Sequence, residues 1–277
     1  MLYPMLFKPI IKKMIWGSES WDISCRPEEM GQVENGPLTG MSFEQVLAKD
    51  PGAYLGSRGL AIYQERGFPL LVKIIDARDD LSVQVHPDDD YAKANGYESG
   101  KNEMWYVMEA PPEGSLIIGL NKNTTKEQLQ NNIMSCLKKQ PIKAGDIINI
   151  PAGLVHALTS GVVVAEIQQN SDVTFRLYDY ERKDPNGNPR ELHIKQGLEV
   201  IKDNAKEPIT HFSVIKQNIN GTQEDISDPE SFAILTCVEG SCEIYDIPLT
   251  RGRSIFIPAG LGPYTIKGQA TILKSTV

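Results

Sequence analysis

The first chemical signal is a short β-rich run. Gln84-Val85-His86 sets an amide and an imidazole two residues apart within Leu81–His86, and in a strand positions i and i+2 share a face. Gln84 and His86 therefore point together, with Val83 and Val85 on the opposite face. Inward polar groups need partners, because a buried one left unsatisfied costs about 1–3 kcal/mol. Glu103 opens the next strand-like run and His156 closes a later one. Histidine and glutamate are ordinary ligands for zinc or a similar divalent ion, and glutamine can add a neutral oxygen. With a single carboxylate in the set, a bound dication keeps net positive charge and stays Lewis-acidic toward a hydroxyl or carbonyl oxygen. The alternative is a pair of core histidines bonded to Gln84 and Glu103; the alternation and the turn before His156 favour the metal. Glu166 adds a carboxylate to the apolar run Val162–Ile167, an unusual place for one. His193 and His211 fall in a polar stretch and a loop, and read as surface residues.

The turn before His156 occurs twice. Gly145-Asp-Ile-Ile-Asn-Ile-Pro-Ala-Gly-Leu-Val-His156 is matched by Gly252-Arg-Ser-Ile-Phe-Ile-Pro-Ala-Gly-Leu-Gly-Pro263. Gly, Pro and Gly fall at identical offsets, which points to a duplicated β module. Only the first copy ends in a metal-capable residue.

The elements that must position these residues are mostly strands. Leu70–Asp76, Leu81–His86, Met104–Met108, Ser115–Gly119, Asp146–Pro151, Val162–Gln168 and Val173–Tyr178 are β-rich. From about residue 210 short runs return at Phe212–Lys216, Phe232–Val238, Cys242–Tyr245, Ser254–Pro258, Tyr264–Ile266 and Ala270–Ser275. Residues 1–40, rich in Gly and Pro with two Trp, predict irregular structure with short strands, and Trp16 and Trp21 read as core. A short helix is expected from Met41 to Lys49 with Ser42 as its cap. Asp88–Ala94 predicts a turn or a single helical turn. Thr124-Thr-Lys-Glu127 reads as a capping box opening a helix to about Leu137. Asp184–Pro189 is a turn, and Glu191–Lys202 a further helix. The fold class is therefore all-β: two jelly-roll barrels with a few short decorating helices. The first spans residues 1–205 and carries the site; residues 206–277 form a second, metal-free barrel.

Bulk properties exclude other classes. Net charge is −8 with no basic stripe, which argues against a nucleic-acid partner while leaving room for a locally basic pocket. No apolar run reaches the roughly 18 residues of a membrane span. The N-terminus lacks the apolar core and cleavage site of a signal peptide. The four cysteines are scattered, so a reduced cytoplasmic setting is the expectation. Whether the chain is a monomer or a homodimer stays open.

Gly145–His156 resembles the second motif of the cupin superfamily, and Gln84-Val85-His86 departs from the usual first motif, His-x-His. That departure resembles the type I phosphomannose isomerases in their short bacterial form. The resemblance extends through Leu81–Asp89, Gly100–Tyr106, Ile150–Ala157, Glu166–Tyr180 and Ile15–Ser24; it covers about residues 5–205 and is looser beyond 210. It implies one Zn2+ per chain on Gln84, His86, Glu103 and His156. It also implies an active-site arginine at Arg176, a lysine at Lys101, and acidic positions at Glu166 and Asp172. The implied activity is the interconversion of mannose 6-phosphate and fructose 6-phosphate through a cis-enediol, which requires stabilisation of an enediolate and a base at C2. Glu166 is a good chemical base, with Asp172 and Lys101 as rivals. For the phosphate, Lys101, Arg176, Arg182, Arg190 and the Ser82 hydroxyl are available; some relatives have lysine where this chain has Arg182. Two rivals remain: a non-catalytic sugar-phosphate-binding regulatory cupin, and an iron-dependent dioxygenase, which a glutamine ligand disfavours.

Overall fold

Strands are the dominant element of the computed structural model, which describes residues 2–183, 186–202 and 208–277. Two compact units are formed. One comprises Met1–Lys12, Ser20–Ile74 and Thr210–Val277, the other Lys13–Glu19 and Ile75–Ile209. Residues 20–74 thus group with 210–277, and the expected boundary at 205/206 lies outside the described residues. No helix among the described residues is long and apolar enough to cross a membrane.

The unit of residues 75–209 holds all the residues singled out for chemistry. One sheet orders Leu137–Pro141, Ser115–Leu120, His156–Ala157, Val83–Val85 and Phe175–Tyr178 as neighbours. A second places Ile147–Ile150, Glu103–Glu109 and Val162–Gln169 side by side, antiparallel. Val83, Val85, Val155, Ala157, Phe175 and Leu177 form one buried cluster with Val200. The helix Ile194–Val200 covers this face of the first sheet. Gly197 permits the contact, since a Cβ there would lie 2.3 Å from Leu177 Cδ2. Trp16, Trp105, Val107, Ile148, Ile150, Val162 and Val164 build another cluster. Val83 and Val85 thus lie on the face opposite Gln84, as the alternation requires.

Helix caps follow the sequence in most places. Ser42 caps Phe43–Leu47 in a reciprocal box with Gln45. Asp88 caps Asp89–Ala94. The box at Lys126–Cys136 uses Thr125 and Gln128 rather than Thr124 and Glu127; the Thr124 hydroxyl instead donates to Asn121 O, closing the preceding turn. Leu137 leaves that helix and begins a strand. The helix expected at 191–202 is shorter, Ile194–Val200. Pro51–Arg66, helical on either side of a break at Gly56 (φ 73°, ψ 177°), is a segment that the strand-dominated reading missed. Its three internal glycines hide the periodicity, although Asp50 as cap and Pro51 at the first position are proper start signals. Asp184 and Pro185, within the expected turn, lie outside the described residues.

The other unit contains a sheet ordered Met5–Leu6, Ser254–Ile257, Ala233–Ile244, Pro263–Thr276 and Ser213–Ile226. Short runs expected separately merge here into long strands. Gly221 opposes Gly268 across two of them, with φ of 92° and 148°. A Cβ at Gly268 would lie 2.6 Å from Ser241 O, so only glycine allows the neighbouring strand to approach this closely there. Tightly packed rings of Phe7, Phe43, Phe68, Phe232 and Phe256, with centroids 4.6 to 5.3 Å apart for the closest pairs, fill another part of this unit.

Candidate active site

Strand register, not sequence proximity, assembles the site. His156 lies opposite Gln84, and Gln84 opposite Arg176. Directly opposed residues share a sheet face, so the three side chains form a row. In the second sheet Glu103 opposes Gln168 and Trp105 opposes Glu166, which gathers two carboxylates, an amide and an indole on one face. That face continues into the apolar pairs around Val107 and Val164, so the polar groups occupy one end of an otherwise hydrophobic surface.

The central cluster is His86, Glu103 and His156, all fully buried, with ligand-capable atoms within 4.8 Å of one another. Glu103 Oε1 lies 3.2 Å from His86 Nε2, and Oε2 lies 3.6 Å from His156 Nε2. Both rings are oriented from behind. His86 Nδ1 is 2.9 Å from Val173 O and His156 Nδ1 is 2.8 Å from Leu154 O. A carbonyl only accepts, so each Nδ1 carries the proton and each Nε2 presents a lone pair toward Glu103. Burial pushes the His86 imidazole down to about 4, with the Lys101 ammonium acting in the same sense. Burial likewise lowers His156. For Glu103 burial acts to raise the carboxyl, but Lys101 and the two imidazoles outweigh it and hold it well below the usual carboxylate range. At neutral pH the cluster is two neutral imidazoles and one carboxylate.

This arrangement fits a divalent cation. Two imidazole lone pairs and a carboxylate converge, and acceptors facing acceptors at these distances call for positive charge, which Lys101 supplies on the Glu103 Oε1 side but not between Glu103 Oε2 and His156. Neither Glu103 oxygen accepts a well-oriented hydrogen bond. Gln84 Nε2 sits 3.3 Å from His156 Nε2; half a turn of the amide offers its oxygen to the same point. The donor set, two N and two O, is one that suits zinc and its neighbours.

Lys101 is buried at 5% exposure rather than lying in a solvated turn. Its Nζ is 2.6 Å from Glu103 Oε1 and 3.4 Å from His86 Nε2. The sequence missed what holds this segment. Asn102 donates through its N–H and its side-chain amide to Gln169 Oε1, and accepts from Ala152 N–H. Gln169 donates to Asp89, which also accepts from Gly100 N–H. The loop before Glu103, the strand end after Gln168 and the Pro151-Ala152 turn are thereby tied together.

Glu166 is buried, and Trp105 Nε1–H donates to its Oε2 at 2.7 Å. The same indole meets His156 edge-on at 5.4 Å. Arg176 ends the row His156–Gln84–Arg176 and donates to Glu191 O; burial and the nearby Arg190 lower its guanidinium. Asp179, which the sequence did not single out, binds both Arg182 and Arg190. His193 is not a free surface residue: its Nδ1 accepts from Arg176 N–H at 3.3 Å. Asp172 is solvent-exposed. Ser82 is buried beside the site strand. Trp16 is core, and Trp21 is buried beneath the Lys12 and Lys73 ammonium groups at 4.2 and 4.9 Å.

Residues 5–120 match the family model for the catalytic domain of type I phosphomannose isomerase, and residues 203–277 match that for the cupin domain of mannose-6-phosphate isomerase. Mannose-6-phosphate isomerase ManA of Bacillus subtilis is 33% identical over 98% of each chain. The chain belongs to the type I phosphomannose isomerases. Mannose-6-phosphate isomerase of Streptococcus mutans is 37% identical over all of this chain and 94% of that one. The crystal structure of the Bacillus subtilis mannose 6-phosphate isomerase aligns with a TM-score of 0.89 at 31% identity, covering 99% of both chains. Phosphomannose isomerase of Salmonella typhimurium, at 16% identity and a TM-score of 0.77, shares the fold. The cupin-domain match and the predominance of strands agree with the mostly-β, cupin-type class expected from sequence.

Proposed function

We propose that this chain interconverts mannose 6-phosphate and fructose 6-phosphate at the His86–Glu103–His156 cluster, with one Zn2+ per chain held by these residues and Gln84. The observation that carries this reading is the convergence of two Nδ1-anchored histidines on a buried carboxylate, beside a buried lysine and a second buried carboxylate. A bound zinc ion supplies Lewis acidity toward the oxygens at C1 and C2 of the open sugar. Glu166 is the base that carries the proton between C2 and C1, and the Trp105 N–H orients its carboxylate. Asp172, solvent-exposed, is the weaker candidate. Lys101 and Arg176 offset the negative charge that develops as the enediol forms. Arg176, Arg182 and Arg190 gather around a single Asp179, an excess of positive charge suited to the phosphate. We assign residues 1–205 to the catalytic cupin barrel and 206–277 to a second, metal-free one.

The test is to follow mannose 6-phosphate by NMR with purified protein before chelation, after chelation and after zinc is restored. Fructose 6-phosphate should appear, stop and reappear. Folded, zinc-loaded protein that binds the sugar phosphate without converting it would instead make the chain a regulatory cupin.

A further inference from the structure

Ser213–Ile226 is the outermost strand of its sheet. It bonds to Pro263–Thr276 along its whole length, and no described strand bonds to its other side. An edge 14 residues long presents a ladder of unpaired N–H and C=O groups, which proteins ordinarily blunt with proline, several lysines or short length. This edge has no proline and a single lysine, Lys216. Its outward face reads Val214, Lys216, Asn218, Asn220, Thr222, Glu224, Ile226, all exposed except the half-buried Val214. Ile226 is 62% exposed, an apolar side chain at the end of an open edge.

That series is self-complementary about Asn220. We infer that this edge pairs, antiparallel, with the same edge of a second copy of this chain across a two-fold axis at Asn220. Lys216 then faces the second copy's Glu224, Val214 faces Ile226 and Asn218 faces Thr222, and the symmetry repeats each pairing. Only registers centred on a residue keep both outward faces on one side of the joined sheet. Among them, a centre at Ile219 sets Lys216 against Thr222 and Val214 against Glu224, and a centre at Gly221 sets Lys216 against Ile226. Charge complementarity therefore selects both the occupant and the register. On the inner face Asp225 is already held by Lys274 and Tyr264, at 2.7 and 2.8 Å, so it enters the joined sheet with its charge compensated.

Sedimentation velocity of the full-length chain from about 1 to about 100 µM, the range for an interface of modest size, tests this on K216E, E224K and the double variant K216E/E224K. The wild type should dimerise. Each single reversal places like charges opposite one another twice and should weaken the dimer about tenfold or more; the double exchange should restore it. Isomerase turnover, which uses none of these residues, serves as the check that each variant is folded. A wild type that stays monomeric at about 100 µM, or a dimer indifferent to both reversals, overturns the inference, and failure of the double exchange to restore association overturns the register. As a second readout, amides of residues 214–226 in the wild type should exchange more slowly at high protein concentration than at low. Equal exchange at both would count against the pairing.

Discussion

Gly145 and Gly252 begin the two copies of the repeated turn with the same backbone: φ is 91° in one and 83° in the other. Gly145 N–H bonds to Val107 O and Gly252 N–H to Cys237 O, both at 2.8 Å. The return bonds also agree, Val107 N–H to Asp146 O and Cys237 N–H to Arg253 O, both at 2.9 Å. Ile150 opposes Glu103 as Ile257 opposes Ala233, and Trp105 opposes Glu166 as Leu235 opposes Lys274. By register, then, Glu103, Trp105, Glu166 and His156 in one copy correspond to Ala233, Leu235, Lys274 and Pro263 in the other. The second copy fills its interior with Leu235, Cys237, Ile244, Ile255, Ile257, Ile266 and Ile272. The scaffold is common to both, and the chemistry rests on a handful of polar positions. Those positions need the supporting bonds of Asn102, Gln169, Val173 and Leu154, which an apolar interior does not require.

The largest effect should come from giving the first copy the second copy's residue. Glu103→Ala is expected to lose the metal and to lower turnover at least about a thousandfold, read by metal analysis and a coupled assay; His156→Ala should behave alike. Metal retained in both variants would remove these residues from the ligand set. Arg176→Ala should keep the metal and lose about a hundredfold in turnover, and near-normal turnover would move the cationic role elsewhere. Trp105→Phe keeps a ring against His156 but removes the N–H to Glu166. It should keep the metal and cost roughly tenfold in turnover, and an unchanged rate would show that Glu166 needs no fixing.

A pH effect distinguishes the two interiors further. His86 is held near 4 in the fold against an ordinary 6.5, so the unfolded chain binds the proton more readily. Neutral burial of this imidazole contributes stability above about pH 6.5, and that contribution is lost as pH falls toward about 4. Denaturant midpoints of chelated protein should decline across that window, and less so in His86→Gln. The smallest effect should be that of Pro263→His. Without partners for Glu103, Gln84 and His86 in the second copy, metal content should stay at about one equivalent per chain.

Much of this was legible in the sequence, for reasons that differ by residue. The Gln84/His86 pair could be read because strand alternation fixes a side chain's face from spacing alone. The repeat exposed His156, because Gly and Pro mark the turn whatever follows it. Lys101 and Arg176 came from family resemblance; spacing could not separate them from solvated or outward residues. Asn102, Gln169 and the Trp105–Glu166 bond were invisible because their partners lie far along the chain, whereas Asp179 has its partners Arg182 and Arg190 close by in a polar stretch that reads as a solvated loop. The polar run 217–226 has no apolar alternation, so its strand is evident only from pairing with Pro263–Thr276. Pro51–Arg66 was hidden by its glycines, and the true cap Thr125 by the competing Thr124 beside it.

The most direct test of a single metal-dependent site is to withdraw metal stepwise from the wild-type enzyme, measuring metal content and mannose 6-phosphate turnover on the same samples. Turnover should fall in proportion to metal, reach background when none remains, and return as about one equivalent of zinc per chain is restored. Full turnover in folded protein stripped of metal would contradict the assignment of the His86–Glu103–His156 cluster.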